Sequence, residues 1–279
     1  MTTSHKQKCV KFFCYLFLIV LLVICIVPVY MLLINATRST GQINRAISLI
    51  PGTNLINNFL AFQDSGLNLW RATVNSMVIS ISSTFLAVYF SMLTAYAINV
   101  YDFRFKKQFF VFILAMTMVP MQLYIIGFFQ YMVMLGLMNS YIPLIVPSIA
   151  SAGTVFFAKQ YFDSALMPDL IQSARIDGAH EFLIFNKIAL PIAKPGAFTM
   201  AIFAFVASWN NFMTPMMILT DPSRFTLPLI IGRMQAEEFR TDFGAIYFGM
   251  AVTIIPIIIV YAMFSKHIIS GISLGSVKE

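Results

Sequence analysis

Long uncharged stretches separated by short charged segments dominate the pattern of this chain. Asp, Glu, Lys and Arg are absent from five runs, which are 12–37, 72–101, 108–158, 195–220 and 243–265. A helix needs about 20 apolar residues to cross the hydrocarbon core of a bilayer, so four runs predict one span each. The run 108–158 is long enough for two, with a turn-rich break at 136–140. The pattern predicts an all-α polytopic membrane protein with six transmembrane helices, near 13–34, 74–98, 109–131, 142–162, 197–219 and 243–265.

Composition supports a chain embedded in lipid. Of the 279 residues, 59% are apolar and 10% are charged, and the mean hydropathy is +0.83. An ordinary soluble domain has about 25% charged residues. These values exclude a soluble enzyme, a disordered chain and a disulfide scaffold, and leave an integral protein whose main solvent is the lipid bilayer. The three cysteines and three histidines are too scattered to predict a disulfide, a metal site or a cofactor site.

The basic residues indicate how the chain is oriented. All ten lysines, and twelve of the 18 basic residues, fall on the side of the predicted termini. Because cytoplasmic loops carry an excess of Lys and Arg, both termini are predicted to be cytoplasmic. The net charge of +7 therefore reflects topology, and no nucleic-acid partner is expected.

This topology divides the chain into segments. The predicted segments are a cytoplasmic N-terminal tail, a first transmembrane helix, an external loop, a five-helix transmembrane domain and a cytoplasmic C-terminal tail, at 1–12, 13–34, 35–73, 74–265 and 266–279. We expect the first helix to be retained, because its apolar stretch is longer than that of a signal peptide and no cleavage site follows it. The five-helix domain includes a cytoplasmic loop at 163–196 and an external loop at 220–242.

Polar residues inside the predicted spans are uncharged or small. No predicted span contains Asp, Glu or His, which a proton pump or ion-coupled exchanger would need, so the energy source should lie elsewhere. Small residues form a stripe along one face of the second span: Ser76, Ser80, Thr84, Ala87, Ser91 and Ala95. This stripe fits close packing between helices of the chain or, alternatively, a subunit interface or the pore wall.

The loop 163–196 is the most charged cytoplasmic segment. Pro168 suits the first turn of a short helix, and Asp177 with Gly178 indicates a turn. A second short helix is predicted beyond it, with one apolar face formed by Phe182, Phe185 and Ile188. Exposed apolar residues on such a helix–turn–helix fit a docking site for a soluble partner, although two helices resting on lipid headgroups would give the same pattern.

The same loop resembles the EAA loop of ABC importer permeases. That motif reads E-A-A-x-x-D-G-A, five residues, F, two residues, I-x-L-P, three residues and P. Nine positions match at the family spacing: Ala174, Asp177, Gly178, Ala179, Phe185, Ile188, Leu190, Pro191 and Pro195. Two positions depart, because Gln172 replaces the Glu and Ser173 replaces the first Ala. A role that depends on the charge of that Glu is therefore not expected here.

Shorter patches extend the resemblance along most of the chain, at 35–38, 95–97, 118–122, 209–212 and 271–278. The last patch resembles the C-terminal tail of the second permease subunit in carbohydrate importers of the maltose type. The chain as a whole resembles that subunit, with the type-I permease fold.

The resemblance implies import across the inner (cytoplasmic) membrane of a bacterial cell. In this family two different permeases form the pore, an external sugar-binding protein delivers the sugar, and a cytoplasmic ABC ATPase dimer receives each EAA loop. ATP binding closes that dimer and switches the pore between inward- and outward-facing states. The residues that the resemblance assigns to ATPase coupling are Gln172, Ser173, Ala174, Asp177, Gly178, Ala179, Phe185, Ile188, Leu190 and Pro191.

Two further expectations follow from the resemblance. The chain has no phosphate-binding loop GxxxxGK[ST], so it is not expected to be an enzyme that hydrolyses ATP. The external loop 220–242 is the candidate to reach into the binding protein.

Uncharged polar and aromatic residues on the spans are candidates for the sugar pathway: Gln122, Tyr124, Trp209, Asn210 and Asn211. Such groups suit a neutral polyol, but they equally suit hydrogen bonds between neighbouring helices. Because Asn210 and Asn211 are adjacent on a predicted helix, their side chains should point about 100° apart, and only one should face the pore.

Other functional classes stay open. A permease for another solute, such as an amino acid or phosphate, would share the EAA loop, but the C-terminal tail argues against it. A secondary carrier should show charges within the membrane or inverted repeats, and a membrane enzyme should show clustered catalytic residues. The sequence shows neither pattern.

Overall fold

The structure is a computed structural model that describes residues 2–236 and 242–276, except for the side chains of 2–6, 9, 121, 122 and 265–276. Every regular element in these two ranges is helical, which confirms the all-α prediction for the described residues. The α-helices are α1 (Thr2–Asn35), α2 (Thr40–Arg45), α3 (Leu55–Asp64), α4 (Leu69–Val100), α5 (Lys106–Thr117), α6 (Met121–Met134), α7 (Ile142–Ile145), α8 (Ala152–Ala165), α9 (Pro168–Ile176), α10 (Glu181–Ile184), α11 (Leu190–Ile192), α12 (Lys194–Trp209), α13 (Met213–Ile218), α14 (Leu227–Ala236) and α15 (Phe243–Ser276). Short 3-10 segments lie at 146–150 and 222–224, and a π-helical turn lies at 185–189.

Four helical stretches among the described residues are long and apolar enough to cross a membrane: Val10–Asn35, Leu69–Val100, Ile142–Ala165 and Phe243–Phe264. They coincide with the first, second, fourth and sixth predicted spans. A fifth candidate is a bent pair, Glu181–Ile192 followed by Lys194–Trp209, whose axes differ by 81°. Helix length and composition thus support four or five spans, and the predicted count of six is not confirmed.

The third predicted span, 109–131, is divided between two helices. Helix α5 ends at Thr117 and α6 begins at Met121, with Pro120 immediately before it. Proline has no backbone N–H and disfavours a helical conformation in the preceding residue, so Pro120 favours a helix break at this point. At about 1.5 Å per residue, neither helix alone reaches across a hydrocarbon core about 30 Å thick.

The fifth predicted span, 197–219, is also interrupted. Helix α12 ends at Trp209, and α13 begins four residues later. Between them, Asn211 Oδ1 accepts a hydrogen bond from the Thr214 backbone N–H at 3.2 Å, and its Nδ2 donates to Thr214 Oγ1 at 3.3 Å. An asparagine that bonds nearby backbone competes with helical hydrogen bonds, which explains why the chain starts a new helix here.

One compact unit consists of residues 1–69 and 231–255. Its centre is Arg38, which is 7% exposed. The Arg38 guanidinium donates to Asn35 Oδ1 at 3.2 Å and to the backbone oxygens of Gln42 and Ala46 at 2.7 and 2.8 Å. Asn58 Nδ2 donates to two more backbone oxygens of the segment that follows α1, at 2.8 and 3.0 Å. These bonds fix the path of the chain as it leaves α1.

The second compact unit consists of residues 70–230 and 256–279, and it holds both regions that the sequence assigns to function. Its main core lies where α4 packs against α8, α9 and the π-helical turn, through Met92, Tyr96, Phe162, Ile171, Ile184 and Phe185. Most of the small-residue stripe on α4 is buried, and Ser76 Oγ accepts a hydrogen bond from the Leu227 backbone N–H at 2.8 Å. The stripe therefore serves close packing within this unit.

Replacing Gly244 by alanine should destabilise the first unit. The added Cβ would lie 2.5 Å from Asn58 Oδ1 and 2.9 Å from the Arg38 backbone oxygen, so the Arg38–Asn58 network would have to shift. Overpacking of this kind costs about 1–3 kcal/mol. We expect Gly244→Ala to lower the thermal unfolding midpoint of the purified protein in detergent.

The matched control for this substitution is Gly41→Ala in α2. An added Cβ at Gly41 has no neighbour within 4 Å, so this variant should unfold near the wild-type temperature. An unchanged midpoint for Gly244→Ala, or an equal drop in both variants, would contradict this view of the Arg38–Asn58 network.

Candidate coupling segment and translocation cavity

Residues 168–192, called the coupling segment below, join α8 to α12. The segment contains α9, a turn, α10, the π-helical turn and α11. Pro168 is the first residue of α9 and Asp169 lies in its first turn, where a negative charge favours the helix N-terminus. These features agree with the helix–turn–helix that the sequence predicts.

The turn after α9 depends on a glycine. Gly178 has φ +79°, a left-handed conformation that side chains other than Asn and Asp disfavour. The Gly178 N–H donates to the Arg175 oxygen and the Ala179 N–H donates to the Ala174 oxygen, both at 3.0 Å. These two bonds form a Schellman motif, which satisfies the last carbonyls of α9 without water or a side chain.

The ten residues assigned to ATPase coupling divide into two groups. One group packs into the core of the unit: Ala174 and Phe185 are buried, and Ala179, Ile188 and Leu190 are half-buried against the same cluster. The other group is exposed, and its members are Gln172, Ser173, Asp177, Gly178 and Pro191. Part of the EAA-like motif thus supports the segment from within, while the rest forms its free surface.

The prediction that the second short helix has one apolar face is wrong. Phe182 is 61% exposed, whereas Phe185 is fully buried and Ile188 is half-buried. Three residues along an α-helix correspond to about 300°, so Phe182 and Phe185 point about 60° apart, and only Phe185 packs into the core. A π-helical turn at 185–189 follows, in which the Leu190 N–H donates to the Phe185 oxygen.

Apolar side chains are exposed on both sides of the Gly178 turn. Ile176 at the end of α9 is 86% exposed, and four more apolar residues of α9, α10 and the residue preceding α9 are also exposed: Met167, Leu170, Phe182 and Leu183. Apolar surface of this kind marks a contact site for another molecule.

A charged cluster, called the Glu181 cluster below, lies next to this surface and consists of Tyr96, Tyr101, Arg175 and Glu181. Arg175 Nε donates to Glu181 Oε1 at 2.7 Å, and the Tyr96 hydroxyl donates to Glu181 Oε2 at 3.0 Å. The Arg175 guanidinium also lies over the Tyr101 ring, 5.6 Å from its centroid. The bond from Arg175 lowers the pKa of Glu181, so the carboxylate is ionised and the ion pair is present at neutral pH.

Sequence reasoning missed the Glu181 cluster. Arg175 and Glu181 flank the predicted turn, and their opposite charges are the sequence feature that could have indicated an ion pair across it. The two tyrosines are about 80 residues away in sequence, so only the packing of α4 against the coupling segment reveals the complete cluster.

A cavity of about 1130 Å³ opens within the same unit, bounded by α4, the 142–165 segment and α12. Its lining contains no Asp, Glu, Lys, Arg or His among the described residues. Hydrogen-bonding side chains line it instead, namely Ser83, Ser148, Ser151, Thr154, Gln160, Tyr161, Ser164, Thr199, Ser208, Asn210 and Asn211. Three phenylalanines add apolar faces: Phe157, Phe203 and Phe212. The lining can hydrogen-bond an uncharged polar solute and stack against its apolar faces.

Asn210 and Asn211 both line this cavity, so the expectation that only one could do so is wrong. The 100° rule applies within a continuous helix, but α12 ends at Trp209 and both asparagines follow it. Their side chains differ in another way. Asn211 bonds the Thr214 backbone and hydroxyl in the first turn of α13, whereas Asn210 is exposed in the cavity.

The other candidate pathway residues lie elsewhere. Trp209 is 1% exposed and stacks on Phe205, with ring centroids 5.7 Å apart. Tyr124 is exposed on α6, away from the cavity lining. The side chain of Gln122 lies outside the described residues.

The predicted external loop 220–242 is partly helical. It contains the 3-10 turn at 222–224 and all of α14, and residues 237–241 lie outside the described part of the chain. Asn139 holds its start, because Asn139 Oδ1 accepts the backbone N–H groups of Thr220 and Asp221 at 3.3 and 3.1 Å. The Ser223 N–H bonds the Asp221 carboxylate and lowers its pKa.

Comparisons with known proteins agree with these features. A family model described as "Binding-protein-dependent transport system inner membrane component" matches residues 87–273. The arabinooligosaccharides transport system permease protein AraQ of Halalkalibacterium halodurans is 36% identical over 91% of this chain and 92% of its own length. The diacetylchitobiose uptake system permease protein NgcG of Streptomyces coelicolor is 30% identical over 91% of this chain and 84% of its own length. The sn-glycerol-3-phosphate transport system permease protein UgpE of Escherichia coli is 28% identical over 93% and 95%.

Among solved structures, a chain of a bacterial ABC transporter involved in the import of the acidic polysaccharide alginate superimposes with a TM-score of 0.78. The match covers 94% of this chain and 98% of that chain at 18% sequence identity, which establishes a shared fold. With the family match spanning the cavity and the coupling segment, the chain belongs to the binding-protein-dependent transport system inner membrane components, the permease subunits of ABC importers.

Proposed function

We propose that this chain is one permease subunit of an ATP-driven importer that carries a sugar or oligosaccharide. The observation that carries the proposal is the uncharged, hydroxyl-rich lining of the cavity, which suits a neutral polyol. Relatives named for arabinooligosaccharides and diacetylchitobiose support a neutral carbohydrate. An anionic solute such as glycerol 3-phosphate is disfavoured, because the described lining offers no Lys or Arg to balance its charge.

The coupling segment is proposed to dock onto a cytoplasmic ABC ATPase dimer. Its exposed apolar residues on both sides of the Gly178 turn supply the contact surface, and the buried residues of the motif hold that surface in place. The charge of the family's Glu is absent at Gln172, so docking here rests on shape and apolar contact.

Substituting Gly178 with valine should weaken this docking. A non-glycine residue in the left-handed region costs roughly 1–2 kcal/mol, and Gly178 has φ +79°. No atom lies within 4 Å of an added Cβ, so backbone strain rather than a clash causes the effect. The measurement is the amount of ATPase that co-purifies with the inserted permease, which should fall for Gly178→Val.

Gly178→Asn is the matched control, because asparagine tolerates a positive φ. It should retain the ATPase close to the wild-type level. If Gly178→Val also retains it, the turn does not position the docking surface.

The cavity is proposed to be half of the translocation pathway, with a second, different permease completing it. An external binding protein would deliver the sugar, and the segment 220–236 is the proposed contact for it. The uncharged, hydroxyl-rich lining supports the assignment of the cavity to the pathway.

Asn210→Leu and Asn211→Leu should have different effects. Asn210 is exposed in the cavity, so leucine there removes hydrogen bonds to the sugar worth about 0.5–1.5 kcal/mol each. Uptake per assembled complex should then fall several-fold. Asn211 accepts the Thr214 N–H in the first turn of α13, and loss of such a bond costs about 0.5–1.5 kcal/mol, so its variant should lower the yield of assembled complex.

Both variants are compared by uptake of labelled oligosaccharide, normalised to assembled complex. Wild-type uptake by Asn210→Leu would remove this residue from the sugar pathway and leave the partner permease as the main source of contacts.

We further propose six membrane crossings, with both termini cytoplasmic. Helices α5 and α6 together form one of the additional crossings, and α12 with α13 forms the other. The support is the distribution of basic residues, all ten lysines being on the proposed cytoplasmic side.

Single cysteines should report this topology. In a variant without Cys9, Cys14 and Cys25, cysteines at Lys106 and Ser173 should be shielded from impermeant thiol reagents in intact cells, whereas cysteines at Met134 and Ser223 should be labelled. Lys106 and Met134 lie on either side of the proposed α5–α6 crossing, and Ser173 and Ser223 lie on either side of the proposed α12–α13 crossing. Equal labelling of Lys106→Cys and Met134→Cys would mean that α5 and α6 do not cross the membrane. Labelling of Ser173→Cys from outside would contradict the orientation.

A further inference from the structure

Two hydrogen bonds join the coupling segment to one face of α4. The Tyr96 hydroxyl donates to Glu181 Oε2 at 3.0 Å, and the Tyr89 hydroxyl bonds Asn186 Oδ1 at 3.2 Å. The two tyrosines are seven residues apart, which is about two helical turns, so they lie on the same face. The coupling segment is therefore attached to α4 at two points along its axis.

Glu181 connects more than this one pair. Its second oxygen binds Arg175 at the end of α9, so the carboxylate spans the Gly178 turn and holds both of its sides. Below the carboxylate, the Tyr96 ring packs on Phe185 and Phe162, with centroids 5.4 and 6.4 Å away. The hydrogen bond between Tyr96 and Glu181 thus lies next to packed aromatic rings. This packing restricts how far the turn can move independently of α4.

Helix α4 also forms part of the cavity wall. Ser83 and Ala87 line the cavity, and Tyr89 follows Ala87 by two residues. The helix is one continuous α-helix from Leu69 to Val100 and contains no Pro or Gly. A displacement at Tyr89 and Tyr96 is therefore transmitted to Ser83 and Ala87 along a continuous helix.

We propose that Glu181 is a positioning residue for transport, which ties the turn of the coupling segment to α4 so that movement at the ATPase reaches the cavity wall. The inference rests on the proposed function, because it assumes that the coupling segment docks on the ATPase. It assigns to Glu181, Tyr96 and Arg175 a role that docking alone does not require. These residues transmit the movement, while the exposed apolar residues hold the partner.

The test uses the complete reconstituted transporter, with its ATPase, partner permease and binding protein, in proteoliposomes. Tyr96→Phe removes one hydroxyl and keeps the ring packing, and Glu181→Gln removes the charge while keeping the size. Both variants should bind the ATPase at wild-type stoichiometry and hydrolyse ATP at close to the wild-type rate. The number of oligosaccharide molecules imported per ATP should fall several-fold. The effects of the two variants should not be additive in the double variant, because Tyr96 and Arg175 act through the same side chain.

Matched controls are Tyr131→Phe, on an exposed tyrosine of α6, and Asp102→Asn, on a fully exposed carboxylate that pairs with Lys106. Both should keep the wild-type number of imported molecules per ATP. A wild-type ratio in Tyr96→Phe and Glu181→Gln would overturn the proposal. So would loss of bound ATPase in proportion to loss of uptake, since that result would make the contact purely structural. Absence of ATP-dependent uptake in the wild-type transporter would instead overturn the proposed function, and this inference with it.

Discussion

Backbone groups that are buried at helix breaks need hydrogen-bond partners within the protein, because an unpaired buried N–H or C=O costs free energy. In this chain side chains supply many of those partners. Beyond the end of α1, Arg38 and Asn58 together bind four backbone oxygens. Between α12 and α13, Asn211 bonds the backbone at the start of the next helix. Irregular backbone is thereby tolerated at the places where the chain must form a cavity or a loop.

Continuous and broken helices have different consequences for transport. Helix α4 runs without interruption from the cavity wall to the coupling segment, so it moves as one body. The chain after α12 is interrupted instead, and the break turns Asn210 and Asn211 into the cavity. A rigid helix suits transmission of movement, and a helix break suits presentation of polar groups to a solute.

The sequence was most informative where the structural signal is local in the chain. Uncharged runs located the long helices, and the Pro168 and Gly178 signals located α9 and its turn, because capping preferences act locally. The EAA-like spacing located the coupling segment. Each of these signals depends on residues that are close together in the chain.

Sequence reasoning did not locate the places where the backbone changes its course. The third predicted span is divided into two helices at Pro120, and a π-helical turn at 185–189 follows α10. Both cases involve a change in backbone hydrogen bonding, which apolar periodicity cannot detect. The Glu181 cluster was missed for another reason, since Tyr96 and Glu181 meet only through tertiary packing.

The central claim is that ATP hydrolysed by a partner drives a neutral carbohydrate through a pathway that contains no charged residue in its described lining. The most direct measurement is uptake of a labelled neutral oligosaccharide into proteoliposomes that contain the complete transporter. Uptake should require both ATP on the side of the coupling segment and binding protein on the other side, and it should persist when ionophores collapse proton and sodium gradients. Uptake that stops with the ionophores and continues without ATP would contradict the account.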